Sequence, residues 1–331
     1  MPPTVPPDCL AFTACKSSRP PANPRAPVRT SPSDFHQTQS LRDPASQRNC
    51  PMPQRIKLSC TDFTFGLLSH DDALALIRTI DLDGADIGIF AVDSFLTPRD
   101  VLSDIPAAAR RMRAKLKRAR LNLADMFFIP GDVSKLSANH PEPRVRRRSR
   151  NLFQQIVDYT QRCGGRHLSI LPGMPYPSES RAVSFNRAAE ELAWRIDIAR
   201  KARITLSVEA HLGSVAHTPA QALKLIERAR GLTLTLDFSH FTYQGIKQAD
   251  LDSLIPHASH VHARGASRGH RQSPATTNTI NYARLARQLR RIDYRGYISF
   301  EYEVFDVDPG DELDTLGETI RLRDVIRKAL K

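Results

Sequence analysis

Cysteine is scarce in this 331-residue chain, and long apolar runs are absent from it. None of the five cysteines stands in a C-x-x-C pair or at a cysteine/histidine zinc spacing, which excludes the common zinc modules. Disulfide frameworks are typical of much smaller secreted domains, so we expect a reducing, cytoplasmic environment. No apolar run approaches the roughly 18–20 residues that cross a bilayer, which predicts a soluble protein with no membrane partner.

Aromatic residues are also few, at 7% of the chain, although the formal net charge is +13. A positive charge of this size invites a nucleic-acid interpretation. The basic residues, however, crowd into Arg110–Arg120 and Arg144–Arg150, which we interpret as solvated faces of helices outside the core. Few aromatics are interleaved with them for stacking on single strands. The pattern therefore disfavours nucleic acid as a partner.

The first 51 residues lack glutamate and show neither helical nor strand periodicity, and they are rich in proline, serine and arginine. Such a composition cannot bury enough apolar surface to offset the entropy of the chain. The segment has no continuous apolar core of a secretory signal, and its prolines argue against the amphipathic helix of a transit peptide. We therefore expect either a disordered tail at 1–51 or a natural start at Met52, with one folded domain over 52–331.

From Ile56 onward, short apolar runs alternate with longer amphipathic stretches, a pattern typical of β/α units and a parallel sheet. The predicted helices start at capping or proline signals, and one of them is predicted to run without a break from Pro98 to Arg120. The eight predicted strands are Ile56–Cys60, Ala85–Phe90, Ala124–Ile129, His167–Leu171, Ile204–Glu209, Leu232–Asp237, His260–Ala263 and Tyr297–Tyr302. This alternation predicts an α/β protein with a closed (β/α)₈ TIM barrel. An open doubly wound sheet is disfavoured, because its G-x-G-x-x-G turn is missing after the first strand.

The last four strands end in acidic and imidazole side chains. Active sites of such barrels lie at the carboxyl ends of the strands, and a charge there is costly to bury unless it is paired or binds a metal. Any one of these residues alone is more simply explained as a salt bridge or a buried histidine. Together they form an oxygen-rich set that suits Mn²⁺, Mg²⁺ or Co²⁺ and does not exclude Zn²⁺. We predict one divalent ion, with the ligands Glu209, Asp237, His262 and Glu301.

The same stretches resemble the sugar phosphate isomerase/epimerase superfamily, whose members share a xylose isomerase-like barrel. The resemblance rests on Ser207–Ser214, Leu236–His240, His260–Ala266, Gln272 and Gly296–Tyr302. It implies that Glu209 and Glu301 are metal ligands that double as an acid/base pair. Substrate contacts are implied for His211, His240, Arg264 and Gln272. Glu303 lies on the same strand face as Glu301 and is the alternative to it.

The resemblance implies metal-dependent isomerisation or epimerisation of a ketose-like or hydroxy-ketone-like small molecule. Carboxylates would remove and return a proton at the carbon next to the carbonyl, which the metal polarises. A polyol or inosose dehydratase or lyase would use the same site, and a non-enzymatic barrel is a further class. An endonuclease-four type of abasic-site nuclease is disfavoured because no D-x-H pair follows the seventh strand, and we find no counterpart of xylose isomerase's catalytic lysine. Barrels of this family often associate, so a homo-oligomer agrees with the resemblance.

Overall fold

Eight parallel strands form a closed barrel in chain order, with the eighth strand pairing with the first. The computed structural model describes residues 55–304 and 312–331, so the prediction for 1–51 lies outside the described residues. The strands are β1 (Lys57–Thr61), β2 (Gly84–Ile89), β3 (Asn122–Phe128), β4 (His167–Ile170), β5 (Thr205–Glu209), β6 (Thr233–Asp237), β7 (Ala258–Ala263) and β8 (Tyr297–Phe300). The predicted TIM barrel is confirmed, with each strand within a few residues of its expected position.

Helices follow the strands and cover the barrel. They are α1 (His70–Thr79), α2 (Pro98–Leu102), α3 (Ile105–Ala119), α4 (Val133–Leu136), α5 (Pro143–Cys163), α6 (Arg181–Lys201), α7 (Pro219–Arg228), α8 (Ser239–Tyr243), α9 (Tyr282–Arg291) and α10 (Thr315–Leu330). Two 3₁₀-helices span Asp62–Phe65 and Gln248–His257. Within the described ranges, no helix has both the length and the apolar character needed to cross a bilayer.

The prediction of one unbroken helix from Pro98 to Arg120 is wrong, because the structure has two helices there, α2 and α3. The Asp104 side chain accepts a hydrogen bond from the Ala107 backbone N–H, at 3.0 Å, and so starts a new helix. Pro106 has no N–H to donate to the carbonyl four residues earlier, so an unbroken helix would lose a hydrogen bond there. The local pattern of a cap followed by proline therefore overrides the longer amphipathic period.

Replacing Asp104 with alanine is expected to lower the free energy of unfolding by about 1 kcal/mol, because an N-terminal N–H of α3 loses its acceptor. Urea denaturation followed by circular dichroism measures the change. Ser103→Ala is the matched control, since the Ser103 side chain does not cap α3. Equal stabilities of the two variants would contradict the capping role.

The barrel interior is polar, whereas such interiors are usually filled by branched apolar side chains. Ser169 on β4 hydrogen-bonds to Ser207 on β5 and to Thr235 on β6, at 3.0 and 2.6 Å. His167 on β4 reaches Ser259 on β7, at 2.8 Å. Strands β4 and β7 are not neighbours, so this contact crosses the interior. The apolar core lies instead between the barrel and its helices, which leaves the inside of the barrel to hydrogen-bonding groups.

Candidate active site

A cavity of about 470 Å³ opens at the carboxyl ends of the strands. Three aromatic side chains from the early strands and loops form one wall: Phe63, Phe90 and Phe127. Charged and imidazole side chains at and after the ends of the late strands also line it: Glu209, His211, His240, Arg264, Glu301 and Glu303. The structure therefore brings most of the predicted site residues to one mouth.

Glu209, His262 and Glu301 form the tightest group at this mouth. The Nδ1 atom of His262 lies 2.8 Å from Glu209 Oε1 and 3.2 Å from Glu301 Oε2. All three side chains are buried, and one ligand atom from each lies within 4.8 Å of the others. Glu301 Oε2 has no hydrogen-bond partner among the residues that the structure describes. A buried carboxylate oxygen left unpaired beside a second carboxylate and an imidazole fits a divalent cation.

Asp237 lies beside this group and is tied to other partners. Its two carboxylate oxygens accept hydrogen bonds from the Ser239 N–H and hydroxyl, each at 2.7 Å. The Nε2 atom of His240 lies between the acids, 3.6 Å from Asp237 Oδ2 and 3.7 Å from Glu209 Oε2. His240 thus forms a second close group with Glu209 and His211. The ligand role of Asp237 stays a prediction.

Arg264 is a buried cation that neutralises the acids behind the mouth. Its guanidinium lies 3.2 Å from Asp237 Oδ2 and 2.5 Å from Glu303 Oε1. Its backbone is fixed by Tyr282, whose hydroxyl donates to the Arg264 carbonyl at 2.7 Å. Arg264 is therefore held rigidly, with its charge directed at Asp237 and Glu303.

Gln272 holds the backbone of Glu303 on both sides. Its amide nitrogen donates to the Glu303 carbonyl at 3.0 Å, and its amide oxygen accepts from the Glu303 N–H at 2.7 Å. This fixes the chain just after β8. Glu303 is held by Arg264, whereas Glu301 faces His262. The choice of Glu301 over Glu303 as the metal ligand stays a prediction. The substrate contact predicted for Gln272 stays a prediction.

The surroundings of Glu301 and Glu209 shift the pKa values of these two carboxyls in opposite directions. Burial raises the pKa of Glu301 to about 7, and the neighbouring charge of Glu209 adds to this, against the attraction of His262. Burial alone would also raise the pKa of Glu209, but hydrogen bonds and positive charge from His240 and His262 outweigh it and lower this pKa well below its usual value. Two carboxyls with opposite shifts are typical of acid/base sites.

His211 differs from the other imidazoles at the mouth. Its Nδ1 lies 2.7 Å from the Leu212 carbonyl, and its ring centre lies 4.3 Å from that of His240. Burial, with the positive charge of His240, lowers the pKa of His211 to about 4. The ring is therefore neutral near pH 7, and with Nδ1–H directed at the carbonyl, Nε2 can accept a hydrogen bond.

Sequence reasoning missed a second polar cluster deeper in the barrel. It consists of Asp86, Asp125, His260 and His262, all buried. The signal was present, because Asp86 and Asp125 interrupt otherwise apolar strands. Both acids lie in the middle of early strands, whereas the predicted ligands lie at or near the ends of the late ones.

A family model described as a xylose isomerase-like TIM barrel matches residues 70–325. A D-psicose 3-epimerase from Clostridium cellulolyticum H10, solved with D-tagatose, is 12% identical with a TM-score of 0.66, over 83% of this chain and 100% of that one. An L-ribulose 3-epimerase is 21% identical with a TM-score of 0.64, over 83% and 94%. A xylose isomerase-like TIM barrel protein from Mycobacterium smegmatis, in complex with magnesium, is 14% identical with a TM-score of 0.63, over 83% and 98%. No curated protein matches this sequence.

Proposed function

The chain belongs to the family of xylose isomerase-like TIM barrels, and we propose that its mouth is the active site of a metal-dependent sugar isomerase or epimerase. The observation that carries the proposal is the pairing of Glu209 and Glu301 on either side of His262 Nδ1. Both acids are buried at the edge of a cavity of about 470 Å³, a size that suits a small molecule. The similarity to proteins named as 3-epimerases of D-psicose and L-ribulose supports a ketose-like substrate.

The ion would be held by Glu209, His262 and Glu301, with Asp237 as the proposed fourth ligand. When bound, it would supply Lewis-acid chemistry at a carbonyl and a neighbouring hydroxyl of the substrate. Mn²⁺, Mg²⁺ and Co²⁺ suit this oxygen-rich set, and the magnesium complex of the Mycobacterium smegmatis protein agrees with it.

The two glutamates would move the proton. Glu209 ends β5 and Glu301 follows β8, so they reach the mouth from strands three places apart in the barrel. One carboxylate would take the proton from the carbon next to the carbonyl, and the other would return it on the opposite face, which gives epimerisation. A single carboxylate that carries the proton to the adjacent carbon would give isomerisation.

The rest of the cavity would orient the substrate and exclude water. The neutral His211 ring and the Arg264 guanidinium offer an acceptor and donors for hydroxyl groups. Phe63, Phe90 and Phe127 form a continuous wall, with ring centres 5.2 and 5.1 Å apart along the series. The C–H face of a small sugar would lie against these rings, with its oxygen atoms turned to the late strands.

Removing the metal tests the proposal. Full-length protein is treated with a chelator, which is then removed. The rate at which this protein exchanges the substrate C–H proton in D₂O should fall at least about 100-fold, because Lewis-acid catalysis contributes several kcal/mol. Proton NMR of a panel of ketoses and hydroxy-ketones measures the exchange. Mn²⁺, Mg²⁺ or Co²⁺ should restore it in the wild type.

The control is the double variant Glu209→Ala/Asp237→Ala, which should bind one ion fewer per chain and stay inactive after metal is added. Undiminished exchange by metal-free wild type would contradict the proposal. Loss of a hydroxyl from the substrate, seen in the same spectra, would move the function to the dehydratase alternative, which would use the same residues.

A further inference from the structure

The polar cluster inside the barrel lies beneath the mouth. Asp86 on β2, Asp125 on β3 and His260 on β7 lie there with His262, and their side chains are at most 1% exposed. His260 Nε2 lies 2.6 Å from Asp86 Oδ2, and because β2 and β7 are not neighbours this contact crosses the interior. One ligand atom from each of the four residues lies within 4.8 Å of the others. The cluster therefore surrounds a single point inside the barrel.

Two atoms of this cluster have no hydrogen-bond partner within the described part of the chain. They are Asp125 Oδ2 and His262 Nε2. His262 Nε2 lies 3.6 Å from Asp86 Oδ2, which is too long for a good hydrogen bond. Each buried polar atom left unpaired costs about 1–3 kcal/mol, and two buried carboxylates close together add repulsion. The two unpaired atoms, a carboxylate oxygen and an imidazole nitrogen, are both of a kind that binds a metal cation.

The opposite oxygen of each carboxylate is held from behind. Asp86 Oδ1 accepts a hydrogen bond from the Ser59 hydroxyl at 2.9 Å. Asp125 Oδ1 lies 2.6 Å from His167 Nδ1, and the other nitrogen of His167 lies 2.8 Å from the Ser259 hydroxyl. Each acid thus has one fixed oxygen and one oxygen directed at the common point. Metal ligands are typically oriented by such supporting hydrogen bonds.

We infer that this point binds a second divalent cation, with Asp86, Asp125, His260 and His262 as its four ligands. Aspartate oxygens and imidazole nitrogens both bind Zn²⁺, and four of them without an open position make a structural rather than a catalytic tetrahedral site. Ligand atoms that now lie within 4.8 Å of one another would close to roughly 3.3 Å, the edge of a tetrahedron with bonds of about 2.0–2.1 Å. His262 would then bridge the two ions as an imidazolate, with Nδ1 directed at the mouth and Nε2 at the interior, after releasing its ring proton to solvent. The interior site needs no substrate and does not depend on the reaction proposed for the mouth.

The number of metal ions bound per chain tests this inference directly. Full-length wild type saturated with Zn²⁺ and then freed of loosely bound metal should hold two ions per chain, by mass spectrometry of the elements. Asp125→Asn should hold one, because an amide binds the ion far less well than a carboxylate. Asp158→Asn, the same change on the exposed surface of α5, should keep both ions.

The visible absorption of bound Co²⁺ gives a second test of the interior site. Wild type loaded with Co²⁺ should show the intense visible bands of a tetrahedral ion, and Asp125→Asn should lose them while keeping the weaker bands of a mouth ion with more ligands. One ion per wild-type chain and no tetrahedral bands would overturn the inference, whether or not the variant folds. If that single ion is lost in Glu209→Ala/Asp237→Ala and proton exchange persists in wild type, the function proposed for the mouth stands. Two ions without exchange would leave the interior site standing and remove the function.

Discussion

Glu301→Gln is expected to abolish turnover while the barrel stays folded. Glutamine has the size of glutamate but cannot give or take a proton, and acid/base groups contribute roughly 100- to 10,000-fold to rate. Folding should be preserved, because glutamine keeps the size of the side chain and His262 Nδ1 still has Glu209 Oε1 at 2.8 Å. Deuterium incorporation by NMR measures turnover, and thermal unfolding measures the fold.

Glu303→Gln is the matched control for this experiment. The same change from glutamate to glutamine is made two residues further along the chain. The Glu303 carboxylate is paired with Arg264, at 2.5 Å, and not with His262. We expect this variant to keep most of its activity. Near-wild-type turnover by Glu301→Gln together with loss in Glu303→Gln would transfer the role to Glu303, and retained turnover in both would remove the mechanism.

Arg264→Met should lower the free energy of unfolding of metal-free protein by about 3–5 kcal/mol, because it removes the guanidinium cation that lies 3.2 Å from the buried Asp237 carboxylate. Arg264 is 2% exposed and faces Asp237, which is 1% exposed. Methionine keeps much of the volume of the side chain but none of the charge. Urea denaturation with and without chelator measures the loss. Adding Mn²⁺ should stabilise the variant more than the wild type if Asp237 is a ligand, because the ion then replaces the missing cation.

Two further variants make the Arg264 result specific. Arg284→Met removes a partly exposed arginine from its pair with Asp252 and should cost about 1 kcal/mol or less. Asp237→Asn added to Arg264→Met should recover part of the stability, because it removes the unpaired charge. A loss in Arg264→Met no larger than in Arg284→Met would contradict the assignment of Arg264 as the neutralising group.

The sequence by itself determined the architecture. A strand with side chains buried on both faces and a helix with one apolar face leave different periods in the sequence, and eight such pairs in order leave few arrangements. The caps at Ser69 and Thr218 are also local, because the capping oxygen and the N–H that it accepts from lie three residues apart. The late-strand acids could be found because parallel strands place all their carboxyl ends at one rim. The break at Asp104 was missed although its signal is equally local.

Only the tertiary structure decided which polar groups meet across the barrel. Asp86 and His260 are 174 residues apart in the chain, and their contact depends on which face of each strand turns inward. The irregular register between β6 and β7 shows why counting along the strands does not fix this. Closing of the barrel also gives the two glutamates different partners. Glu301 faces His262 and Glu303 faces Arg264, although they lie only two residues apart. Side-chain identity and strand order follow from local chemistry, whereas the pairing of charges inside the barrel depends on strand register and distance, which exist only in the folded chain.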